Sequence, residues 1–385
     1  METSSTTHYI LITNGESYTG HALTWYLANQ LERQPGRLHK KNWKVRVLCE
    51  SLKNMKKLEG MGIDIKEVDY SSQFALRDHM KNVKCALFVP NMSDHCVQYG
   101  INVLDAAAEE KLKCIQMISM CSSEQASYEN TVLGQFRQLE DHLSKKFAYG
   151  RWFPLLYQLA FFWSGMIQDK GKLGLPLSDN TSFPAIDVLD LCDACATLLL
   201  SPRKQTESDN QDDEPDIPDQ ALKRIYHLSS SHNYTGKMMT ESLNKGLENE
   251  EACVEYEKIS NKDMRDYLQN LSTTSAIKDM VSSITENIPK IPYNMRSSSG
   301  TSNSDKEHDQ PTSCGMDLPA LLPNPGHYLN SYVIDLMMDL FENIENYPQE
   351  HPTHDLQGLI GRDPKRFSTF FADNRKHFTP SSKML

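Results

Sequence analysis

Residues 13–20 read Thr13-Asn14-Gly15-Glu16-Ser17-Tyr18-Thr19-Gly20, two glycines among small and polar side chains. An apolar run precedes them at residues 9–12, and apolar residues at helical spacing follow: Ala22, Leu23, Tyr26, Leu27 and Leu31. A turn between a strand and a helix start presents backbone N–H groups and the positive end of the helix dipole, which together suit a phosphate. The usual glycine pattern at such a turn lets the chain bend sharply, lets pyrophosphate approach the backbone, and lets helix pack on strand. Asn14 and Ser17 stand where that pattern prefers glycine. Asparagine tolerates a positive φ, and serine is small and can hydrogen-bond a phosphate. The loop reads as degenerate but open, and a plain strand-to-helix turn is the competing reading.

Four more strand exits belong to the same chemistry. The residue after a second strand reads the adenosine ribose, an acid for a free 2′-hydroxyl and a base for a 2′-phosphate. Glu50 is the acid here and points to NAD, whereas Lys53, Lys56 and Lys57 keep NADP open unless they are only solvated helix charges. Asp69 and Tyr70 are placed to hold an adenine amino group, and Pro90, Asn91 and Ser119 to line a nicotinamide side.

The elements that must position these residues follow from periodicity. Residues 9–13, 45–49, 63–68, 85–89 and 114–118 read as short strands, fully apolar at 85–89, with helical patterns at about 21–31, 55–61, 73–82 and 94–110 between them. Strands without polar alternation are buried on both faces, and strands alternating with helices pair in parallel. The first 120 residues therefore predict an α/β protein with a doubly wound parallel sheet, a Rossmann fold. Beyond them the pattern predicts helices at about 129–147, 187–200, 237–247, 332–344 and 367–378, a sixth strand at residues 154–160 and another at 226–228.

Composition divides the chain further. Residues 1–8 are a polar leader, and 9–202 form the nucleotide-binding domain. Residues 203–221 carry seven acids, two bases and two prolines with hardly an aliphatic side chain, so they cannot offset their ordering entropy and read as a disordered insertion. Deleting them should leave folding and nucleotide affinity unchanged. Residues 222–296 and 317–385 read as a smaller C-terminal α/β subdomain for substrate or partner, partly woven into the first domain, and 297–316 as a low-complexity linker. A net charge of −11 argues against direct nucleic-acid binding. No apolar run reaches the ~20 residues of a membrane span. Nine cysteines at irregular spacing, without a signal-like start, point to reduced thiols in the cytoplasm, with the nucleus also open.

Several segments, in order, resemble the NmrA-like, atypical short-chain dehydrogenase/reductase family. Residues 13–20 look like a worn Gly-x-x-Gly-x-x-Gly loop. Phe183-Pro-Ala-Ile-Asp187-Val-Leu-Asp190-Leu-Cys-Asp193 is similar to its Asp-Val-x-Asp-Ile helix start, and Gly361-Arg362-Asp-Pro364 followed by Phe367 and Phe370 to its closing Gly-Arg-x-Pro segment. The resemblance implies an NAD(P)-binding protein, either a reductase of quinones or small carbonyl compounds or a regulator that binds the dinucleotide without turning it over. Classical members of the wider superfamily use Tyr-x-x-x-Lys, in which lysine lowers the tyrosine pKa for proton transfer. None of the sixteen tyrosines here has lysine four residues on. At the position of the atypical reductases' lysine stands Phe136, with Arg137 beside it, and their sixth-strand arginine is Gln158. Arginine stays charged and cannot shuttle a proton near neutral pH. The expectation is therefore a non-catalytic redox sensor with a regulatory protein partner. A reductase, or a pseudoenzyme without nucleotide, stands as the alternative.

Other constellations read more plainly. Cys192 and Cys195 lie inside a predicted amphipathic helix, where two small buried residues are expected. His351 and His354 flank a proline and lack partner ligands. The Met-rich helix around Met337 and Met338 suits core packing, and Phe161 and Phe162 suit the wall of a substrate cleft. No Gly-x-Ser-x-Gly elbow and no P-loop occurs.

Overall fold

Alternate side chains of each central strand leave the sheet on opposite sides, and here both sets are apolar. Ile10, Ile12, Cys85, Leu87 and Cys114 enter one core, while Leu11, Ala86, Phe88, Ile115 and Met117 enter the other. In the computed structural model, residues 6–33, 43–112, 114–128, 131–200, 224–248, 253–286, 328–349 and 351–381 are described. The expected insertion 203–221, the linker 297–316 and residues 1–5 of the leader lie outside them.

Strands β1 (His8–Ile12), β2 (Trp43–Cys49), β3 (Asp64–Glu67), β4 (Val83–Phe88), β5 (Cys114–Ile118) and β6 (Ala148–Phe153) belong to one sheet. A small pair follows, β7 (Lys172–Leu175) and β9 (Glu255–Lys258), while β8 (Arg224–His227) completes the large sheet. Its order is β3-β2-β1-β4-β5-β6-β8, all parallel, with the reversal of winding between β1 and β4. The doubly wound parallel sheet is thus as the spacing predicts. Helices α1 (Tyr18–Arg33) and α6 (Val188–Leu200) cover one face. Helices α2 (Gln73–Met80), α3 (Cys96–Glu109) and α4 (Val132–Lys146) cover the other.

A third core gathers α5 (Ser164–Lys170), α7 (Gly236–Leu247), the start of α8 (Asn261–Glu286), α9 (Ser331–Asn346) and α11 (Phe367–Asp373). Tyr157 stacks on Phe367 there, with ring centroids 4.0 Å apart. Between α9 and α11 runs α10 (Asp355–Ile360), whose Leu356 enters the α1/α6 core.

Two expectations are corrected. The sixth strand lies at Ala148–Phe153, not at residues 154–160. Pro154 has no N–H for the ladder, Tyr157 instead donates to the Ile186 carbonyl at 2.7 Å, and the chain then coils into a 3-10 turn over Tyr157–Trp163. The helix expected at 55–61 is a 3-10 turn at Leu52–Leu58, capped by the Ser51 hydroxyl.

Candidate functional site

The loop after β1 is fastened across the point where the winding reverses. Thr13 Oγ1 donates to the Val89 carbonyl and accepts the Val89 amide, both at 2.9 Å, which ties the exit of β1 to that of β4. Asn14 has φ 52°, a left-handed conformation that the usual glycine would supply. Its amide donates to Tyr70 Oη at 2.8 Å and its Nδ2 to the Pro90 carbonyl at 2.7 Å. Ser17 Oγ donates to the Asn14 carbonyl at 2.7 Å and accepts the Gly20 amide at 3.1 Å, so serine caps α1 where glycine was expected. The first-turn amides of Tyr18 and Thr19 have no intrahelical acceptor by geometry, and both residues line the cavity in front of the loop.

That cavity has a volume of about 390 Å³ and lies beyond the carboxyl ends of β1, β2, β4, β5 and β6. Its end next to β2 carries two acids, Glu16 and Glu50. Glu16 Oε1 accepts the Glu50 amide at 2.7 Å, and Glu50 Oε2 accepts Asn91 Nδ2 at 3.1 Å. Burial holds the Glu16 carboxyl above its ordinary value, opposed by the Glu50 amide. Among the described residues no Lys, Arg, His or Cys lines the cavity. Lys53 and Lys56 are exposed and outside it, and the Lys57 side chain is not among those described.

The opposite end is apolar: Leu155, Leu159, Phe161 and Phe162 form its floor, and Val333, Leu336, Met337 and Leu340 of α9 its roof. Ser119 lines it at the exit of β5, its hydroxyl turned onto Glu140. Glu140 is 1% exposed and also accepts Ser123 Oγ at 2.6 Å and Arg151 Nη1 at 3.0 Å. Burial pushes its carboxyl up, against those three donors. Tyr18 and Tyr328 meet edge-to-face at 5.7 Å, and burial raises both phenols.

Of the residues singled out in the sequence, Asn14, Ser17, Tyr18, Thr19, Glu50, Asn91 and Ser119 line the cavity. Thr13, Gly15, Gly20, Tyr70 and Pro90 do not; they brace the loop from behind. Asp69 is exposed, and its carboxylate accepts the Ser71 amide at 2.8 Å. Phe136 is buried in the core beneath α4, while Arg137 donates to the Ala126 carbonyl at 2.9 Å, so neither reaches the cavity. Gln158 does, but Asp187 Oδ2 and the Val188 amide occupy its amide group. Glu16 also lines the cavity, and its only signal in the sequence is a charge among the small and polar residues of the loop.

No protein-family model and no curated protein matches the sequence. Solved structures match in fold. An NADPH-dependent quinone oxidoreductase from Escherichia coli, complexed with NADPH, superposes with a TM-score of 0.63 at 13% identity, over 95% of this chain and 99% of that one. A triphenylmethane reductase from Citrobacter sp., complexed with NADP(H), gives 0.62 at 14% identity over 95% and 99%. A nucleoside-diphosphate-sugar epimerase from Staphylococcus aureus gives 0.60 at 13% identity over 94% and 99%. The likeness is one of fold.

Proposed function

We propose that this chain binds a nicotinamide dinucleotide, NAD or NADP, in the cavity and acts as a redox-responsive regulator of a protein partner rather than as a catalyst. The observation that carries the reading is the cavity itself: it opens under the first-turn amides of α1 at the reversal of winding, yet holds no lysine, histidine or arginine among its described lining residues. The loop fits a pyrophosphate. A Cβ on Gly20 would stand 2.1 Å from the Asn14 carbonyl oxygen and one on Gly15 2.3 Å from Val47 Cγ2, so the two glycines let α1 start close against the sheet. Tyr18 and Thr19 would hold the phosphates, Glu50 the adenosine ribose, and Ser119 the nicotinamide side; Asn91, expected from the sequence on the nicotinamide side, instead steadies Glu50 at the ribose end. The bound group would supply a hydride donor or acceptor.

Protein groups able to exchange a proton are scarce there. Burial raises the phenols of Tyr18 and Tyr328, which makes them poor acids, and the Ser119 hydroxyl is engaged by Glu140. Occupancy has a route to the surface. The loop after β4 lines the cavity and is joined to α9 where Asn330 Nδ2 donates to the Met92 carbonyl at 3.0 Å. A ligand with different affinities for two arrangements of that joint would shift their populations.

A second reading, a quinone reductase, is favoured by the apolar end of the cavity and by the fold shared with the Escherichia coli enzyme. Reduction of a quinone can take its protons from water. Calorimetric titration with NAD⁺, NADH, NADP⁺ and NADPH, followed by a quinone turnover assay, tests both. Binding of at least one nucleotide without turnover is expected. Silence from all four overturns dinucleotide binding, and steady oxidation of the reduced nucleotide by quinone replaces the regulator with the reductase.

A further inference from the structure

We propose that Glu16 is a specificity-determining residue: together with Glu50 it accepts the free 2′,3′-diol of an NAD-type adenosine ribose and rejects a 2′-phosphate. The inference rests on the dinucleotide reading and names the nucleotide that the same cavity takes.

Glu16 sits in the middle of the phosphate-binding loop yet turns its carboxylate toward the exit of β2. Oε1 is held there by the Glu50 amide at 2.7 Å. Oε2 is buried and has no hydrogen-bond partner among the described residues. A buried acceptor without a donor is costly, and native proteins rarely leave one. Glu16 lines the cavity, so a donor bound there would lie beside its carboxylate. Glu50 stands beside it, steadied by Asn91 Nδ2 at 3.1 Å. Two carboxylates close together offer acceptors only.

A ribose diol brings two O–H donors and no charge, and it complements this pair. A 2′-phosphate near neutral pH brings acceptor oxygens and about two negative charges. It would need a cation, and no described lining residue supplies one, since Lys53 and Lys56 are exposed elsewhere. Glu50 alone would be the ordinary ribose reader at the end of a second strand. The second carboxylate, delivered from the glycine loop, makes rejection of the phosphate the dominant effect, because like charges forced together discriminate more strongly than a lost hydrogen bond.

The test is calorimetric titration of the full chain with NADH and with NADPH at pH 7.5, for wild type, Glu16→Gln and Glu50→Gln. Wild type should favour NADH by about tenfold or more. Glu16→Gln keeps an acceptor for the Glu50 amide without the charge; it should tighten NADPH and narrow the ratio by about tenfold. If that variant does not fold, Glu16→Asp keeps the charge but draws it one methylene back from the ribose, and should narrow the ratio to a smaller extent. Equal or tighter binding of NADPH by wild type overturns the proposal and leaves dinucleotide binding standing. Binding of neither nucleotide overturns both. An NADH preference unchanged in Glu16→Gln gives the selectivity to Glu50 and overturns the role of Glu16.

Discussion

Gly20 stands where the first turn of α1 passes closest to the exit of β1, and the Asn14 carbonyl leaves a side chain no room. Gly20→Ala must therefore push helix from strand, at a cost of roughly 1–3 kcal/mol. Thermal unfolding should register the loss, and titration of the refolded variant should show weaker nucleotide binding because the Tyr18 and Thr19 amides move with the helix. Glu16 makes a second prediction at this scale. Burial first, then the neighbouring charges of Glu50 and Glu67, raise its carboxyl above the ordinary value, while the Glu50 and Glu16 amides pull it down. The Cys49 thiol, itself raised to about 12 by burial, is neutral there. A ribose hydroxyl donating to Glu16 favours the ionised form, so binding lowers that pKa. Affinity for the dinucleotide should climb with pH through the titration of free Glu16 and then level off, and Glu16→Gln should flatten the climb. What the sequence hid here is direction. Glu16 reads as one of several tolerated loop residues until its reach to the Glu50 amide is seen, and Tyr70 reads as a ligand contact although its hydroxyl braces the Asn14 amide from beneath.

Elements were legible in proportion to how fully they are buried. The central strands β1, β4 and β5 are largely apolar on both faces, and their runs announce them, whereas β3 at the sheet edge reads Asp64-Ile-Lys-Glu67 and is only partly buried. β6 carries Gly150 and Arg151 in its interior, and both have structural reasons: a Cβ on Gly150 would lie 1.7 Å from Gln116 Oε1, which accepts Trp152 Nε1 at 2.9 Å, and Arg151 serves Glu140. β7 and β9 are four residues each, β7 Lys-Leu-Gly-Leu and β9 Glu-Tyr-Glu-Lys, too short for periodicity to mark them. The paired motifs fare better. Asp190 at the start of α6 is 2% exposed, and it accepts Arg362 Nη2 and the Lys365 amide, both at 2.7 Å. Arg362 also reaches Asp193 at 3.2 Å. The two segments meet as a clasp between α6 and the turn after α10. Arg362→Ala should cost roughly 2–3 kcal/mol, since a buried carboxylate keeps too few donors. Asp190 already has a pKa raised by burial, and losing the guanidinium raises it further. A raised folded-state pKa makes the native state bind more protons than the unfolded chain, so its penalty grows as pH rises above the unfolded value. The variant should therefore recover part of its deficit at pH 5 relative to pH 8, as denaturant midpoints would show.

At the scale of the whole molecule, α9 holds the cores together. Tyr332 and Leu336 enter the core beneath α3 and α4, and Ile334, Met338 and Phe341 enter the third core. Asp339 accepts the Leu133 amide at 3.1 Å, which caps α4 from a distance of 206 residues in sequence. Near the far end of α9, Glu345 gathers the Ser178 amide at 2.8 Å, Thr181 Oγ1 at 2.6 Å and Lys258 Nζ at 3.2 Å. Burial would raise Glu345, but these donors outweigh it and hold the carboxyl at about 2. Its contribution is complete above the unfolded value of about 4.3 and is lost as pH falls toward the folded one. Glu345→Gln should cost roughly 1–2 kcal/mol at pH 7 and steadily less below pH 4. Helical periodicity made α9 visible as a helix. Nothing local in it says that its apolar side roofs a cavity whose walls lie some two hundred residues earlier.

That distance sets an order of events. The floor and walls of the cavity come from residues 14–162, and the roof arrives only with residues 328–340. A nascent chain that has emerged as far as β9 therefore carries Leu155, Leu159, Phe161 and Phe162 with no cover from α9, and that apolar surface stays open until Ser331 and the residues after it are made.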